Sequence, residues 1–72
     1  MKQPLLPDGC RERACEIIAQ YQARGLAAPT VFFESLAKFK KEYPQEKHPA
    51  MTDVRAVAII QFYQDQMARG NC

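Results

Sequence analysis

No stretch of this sequence approaches the roughly 20 consecutive apolar residues that a membrane-spanning helix needs. The opening Met-Lys-Gln-Pro-Leu-Leu-Pro-Asp-Gly-Cys also lacks the apolar run of a secretory signal. The expectation from both absences is a cytoplasmic chain with no membrane partner. Glycine is limited to three scattered positions, so a glycine-rich phosphate loop is missing. One histidine and three cysteines cannot supply the close-spaced ligand pairs of a structural zinc site, and no metal or other cofactor is expected. Three is an odd number, which excludes a closed disulfide framework. Cys10 and Cys15 sit five residues apart, about 140° around a helix, and point to different faces. Three free thiols in a reducing compartment are expected. Ten Lys and Arg against eight Asp and Glu leave a net charge of +2, too little to imply a nucleic acid or a membrane by itself.

What remains is an ordinary globular composition. Apolar residues make up 47% and charged residues 25% of 72 positions, room for one domain spanning residues 1–72. A chain this short buries only about 60% of the surface its unfolded form exposes, so the margin of stability is thin. Prolines and glycines divide it into three apolar-periodic segments of helical length: about 8–24, 30–43 and 52–69. The fold class expected is all-α, a single small three-helix bundle with short loops.

In the first segment Asp8 suits the N-cap, and Gly25 suits a left-handed C-cap position. Cys10, Ala14, Ile17, Ile18 and Tyr21 fall within an arc of about 100°, the stripe of a core-facing helix. In the second, Pro29 fits the first turn and Pro44 stops the helix. Phe32, Phe33, Leu36, Phe39 and Tyr43 form its expected core face, with the Lys40 stem running along it. In the third, Thr52 is the expected N-cap. Ala56, Val57, Ile59, Ile60, Tyr63 and Met67 spread over roughly 160°, wide enough to touch both other helices.

Catalytic chemistry has little to stand on. The lone His48 lies in a polar loop between Lys47 and Pro49, read as exposed, and no nucleophile stands near a plausible base. A non-enzymatic chain without a small-molecule substrate is expected. Nucleic-acid binding is the alternative: the first two helices read as a helix-turn-helix, and Lys38, Lys41 and Lys47 form a cluster able to meet phosphates. Against it, Thr30, Val31, Glu34 and Ser35 occupy the exposed start of the second helix in this reading, and none is a strong reader of base edges.

Protein binding is favoured instead. Val54, Ala58 and Phe62 lie off the core stripe and make the third helix apolar nearly all round. Two companion helices cannot cover all of it, and an exposed apolar patch marks an interface. Val54, Ala58, Ile59 and Phe62 are the expected contact residues. The partner is a larger protein that the chain regulates or inhibits, or a second copy in a homodimer. A competing arrangement folds Leu5 and Leu6 of the lead-in over Phe62.

Overall fold

Gly9, rather than Asp8, opens the first helix. Its φ of +77° is left-handed backbone that glycine adopts without a Cβ penalty, and its carbonyl accepts from the Arg13 amide at 2.9 Å. No side chain caps this end, so the expectation for Asp8 fails: the left-handed entry at Gly9 takes over the cap position. The computed structural model describes residues 6–70 and contains α1 (Cys10–Gln22), α2 (Ala28–Glu42) and α3 (Asp53–Ala68). Among the described residues there is no strand, and each helix packs on both others: the chain is an all-α three-helix bundle. No helix of the described residues is long and apolar enough to cross a membrane.

The helix ends follow local chemistry. Beyond α1, Gly25 adopts φ +75°, and the Arg24 and Gly25 amides donate back to the Tyr21 and Gln22 carbonyls. Pro29 stands in the first turn of α2, where a missing N–H leaves no hydrogen bond unmade. That helix stops at Tyr43, whose φ of −124° and ψ of 66° are the non-helical backbone required before Pro44. Thr52 caps α3, its Oγ1 accepting from the Arg55 amide at 3.2 Å. Asp53 follows in the first turn, favourable to the helix dipole.

Ile17, Ile18, Phe39 and Ile60 are fully buried with Ala14 and Ala56 between them. Each large side chain contributes about 1.5–3 kcal/mol by leaving water. The α1 stripe is as expected: Cys10, Ala14, Ile17 and Ile18 are buried and Tyr21 is half-buried. On α2 the buried row is Val31, Ser35 and Phe39, with Phe32, Leu36 and Tyr43 flanking it. That row is turned about 90° from the aromatic-centred face expected, which leaves Phe33 outside and brings Val31 and Ser35 in. The small Ser35 is fully buried in the middle of that row. The second connection also enters the core, through Ala50 and Met51.

Polar contacts tie the helices outside the core. The Arg13 guanidinium forks onto Glu42, with Nε to Oε1 at 2.8 Å and Nη2 to Oε2 at 2.7 Å. It joins α1 to α2 and holds the Glu42 carboxyl below its usual pKa. Lys40 meets Asp53 at 2.8 Å, and Gln64 Nε2 donates to the Ala28 carbonyl at 2.9 Å. Cys10 is a free thiol whose pKa burial pushes up. Cys15 is disulfide-bonded, so three free thiols is a wrong expectation, and the reducing compartment drawn from it loses its premise.

Candidate protein-binding surface

Two requirements pull on α3. Its inner side must fill the space between α1 and α2, and Ala56, Ile59 and Ile60 do so. Residues four apart then line up on the outer side, each turned about 40° from the last. Val54, Ala58 and Phe62 fall on that outer row. Val54 is 81% exposed and Phe62 55%, with Ala58 exposed between them. A large side chain, a small one and a larger one thus stand in line over two turns of a rigid helix. Ile59, expected to join them, is only 9% exposed and belongs to the core. It faces a different way because it lies 100° from Ala58 around the helix.

A groove of about 850 Å³ runs beside this row, between residues 6–12 and α3. Leu6, Ile59 and Tyr63 give it an apolar lining, Arg11 and Arg55 stand against Asp8 and Glu12 at its polar edge, and Phe62 forms one wall. Leu6 packs against the core, yet Phe62 stays more than half exposed with its ring edge-on to Tyr63 at 5.1 Å. The covering role expected of Leu6 is therefore incomplete. Leu5 lies outside the described residues.

A second apolar exposure sits at the opposite end of the bundle, where α1 turns into α2. Leu26 is 37% exposed and Phe33 67%. They border a groove of about 620 Å³ that Phe32, Pro29, Gln61 and Asp65 also line. The sequence reading missed this groove because it assigned Phe33 to the core. The available signal was the 100° step between Phe32 and Phe33, which prevents both from facing the same neighbour.

The lysines are dispersed among carboxylates. Lys38 lies 3.9 Å from Glu42, the carboxylate that Arg13 already engages, and Lys40 pairs with Asp53. Lys41 and Lys47 make no ion pair among the described residues. Of the four positions expected to be exposed at the start of α2, Val31 and Ser35 point inward.

His48 is not an exposed loop histidine. Its ring stands 5.4 Å from that of Tyr43, and the segment around it is a series of tight turns in which the Lys47 and His48 amides donate to the Pro44 carbonyl. Burial raises the Tyr43 phenol above its ordinary pKa. Among the described residues no three His, Cys, Asp or Glu side chains gather as metal ligands would.

No protein-family model, no curated protein and no solved structure matches this chain.

Proposed function

We propose that this chain is a non-enzymatic helical module that acts by binding protein, and that the outer row of α3 is its contact surface. One observation carries the reading: Val54 and Phe62 are exposed in line with Ala58 on a single helix face. Scattered apolar residues are normal on a surface, whereas aligned ones offer a partner helix or groove a continuous strip. The lead-in groove beside Phe62 extends the strip and supplies a polar rim of mixed charge through Asp8, Arg11, Glu12 and Arg55. A regulator or inhibitor of a larger protein uses a surface of this kind, and so does a chain that pairs with itself. Nothing in the lysine arrangement favours the nucleic-acid alternative over this one.

Affinity capture with the full chain tests the reading, run in parallel with Phe62→Glu and Phe33→Glu. Loss of the bound protein, a second copy included, is expected for Phe62→Glu and retention for Phe33→Glu. The reverse pattern would move the contact to the groove at the α1–α2 turn. Identical capture by all three would overturn an apolar contact surface on α3.

A further inference from the structure

We propose that the occupant of the α3 surface is a second copy of this chain, with the two α3 helices antiparallel about a two-fold axis level with residue 60. This rests on the reading of α3 as the contact surface and names its partner.

Arg55, Ala58, Phe62 and Asp65 are spaced three, four and three residues apart, and they fall within an arc of about 80° on the helix. That is the spacing of a seam between two packed helices. The four also have an internal symmetry. Ala58 and Phe62 lie two residues to either side of position 60, and Arg55 and Asp65 lie five to either side. In an antiparallel pair, residues equally far from the axis on opposite sides meet. One register therefore sets Phe62 of each copy over Ala58 of the other and Arg55 of each beside Asp65 of the other. The large ring meets the small side chain, and the cation meets the carboxylate, each twice. A parallel pair would set Arg55 against Arg55 and Asp65 against Asp65, which like-charge repulsion disfavours.

The charges at this face fit the assignment. Arg55 has no ion-pair partner among the described residues. Among the described residues Asp65 pairs only with the nearby Arg69, at 3.3 Å, with both side chains more than half exposed. Such a pair is worth little in water, so Asp65 can exchange it for Arg55 of the other copy. Val54 and Gln61 border the seam along one side. A contact of about three turns is short, and the association is expected to be of the transient kind.

Sedimentation equilibrium of the full chain at high micromolar concentration reads this directly. The wild type is expected to dimerise and Phe62→Glu to remain monomeric. Arg55→Asp and Asp65→Arg each place like charges together and are expected to weaken the dimer about tenfold. The double variant restores opposite charges and is expected to recover the wild-type constant. All the positions are exposed or half-buried, and circular dichroism checks that each variant keeps its helices. A dimer abolished by Phe62→Glu but not rescued by the double reversal would overturn the antiparallel register while leaving α3 as the contact surface. A monomeric wild type would overturn the second copy as occupant, and the capture comparison would then decide on another protein. A dimer indifferent to Phe62→Glu would overturn the occupant and the surface together.

Discussion

α2 and α3 are similar in length, and each carries more apolar residues than its inner face can use, yet they shed the excess differently. α2 exposes Phe33 at the groove beside the α1–α2 turn, with Leu26 of the preceding turn for company. α3 exposes Val54, Ala58 and Phe62 in a row of its own. The contrast follows from where each helix lies. α2 turns a small residue, Ser35, toward the core and swings one aromatic out. On α3 Ile60 and its neighbours hold the inner side, and every fourth residue from Val54 is left on the outer side. A lone exposed ring on one helix reflects a packing compromise. An aligned row on another is a continuous apolar strip.

The sharpest test of that contrast sets inner against outer positions on the same helix. Phe39→Ala on α2 is expected to cost about 3–5 kcal/mol, and Ile60→Ala on α3 about 2–5 kcal/mol. Each would consume a large share of the stability of a domain this small. Phe33→Ser and Phe62→Ser are expected to stay within about 0.5 kcal/mol of wild type, since neither ring fills core volume. Urea unfolding of the monomer measures all four. A Phe33→Ser variant as unstable as Phe39→Ala would mean that α2 is rotated back toward its aromatic face.

Ser35 gives a smaller effect of opposite sign. Its hydroxyl is fully buried and has no hydrogen-bond partner among the described residues. Ser35→Ala removes an unpaired polar group and adds helix propensity, and it is expected to raise stability by about 1 kcal/mol in the same urea titration. A loss of stability instead would show that the hydroxyl has a partner that outweighs its burial.

The same residue shows why part of the fold was legible in the sequence and part was not. The stripe on α1 was readable because Ala14, Ile17 and Ile18 are apolar and unambiguous. Thr52 and Pro44 were readable because capping chemistry and the proline ring act locally. The register of α2 was not, because the phenylalanines pull an apolar average toward Phe33 while the middle of the buried row is held by a serine. No propensity distinguishes a serine chosen for its size from one chosen for water. Met51 was missed for a related reason: loops are expected on the surface, and only three-dimensional closure shows that this one drops a side chain between the helices. Val54, Ala58 and Phe62 were identifiable as surplus, but Ile59 beside them needed the bundle geometry to be assigned to the core.

The smallest effect concerns how the two helices are held together outside the core. Arg13 and its hydrogen bonds lower the Glu42 pKa from its ordinary value of 4.5, against the opposing influence of burial. A carboxyl whose folded pKa is depressed adds stability that is present above its unfolded pKa. That stability is lost as pH falls from about there through the lower folded value. Arg13 is shifted the other way, upward, so its own proton stays on across the whole range and adds no pH dependence. Thermal midpoints of the wild type are thus expected to fall below about pH 4.5 more steeply than those of Glu42→Gln, the two curves converging in acid. Both side chains are about 30% exposed, so added salt is expected to shrink the difference. Parallel curves at all pH values would mean that the fork between α1 and α2 adds nothing to the bundle, and that the core alone sets how these two helices pack.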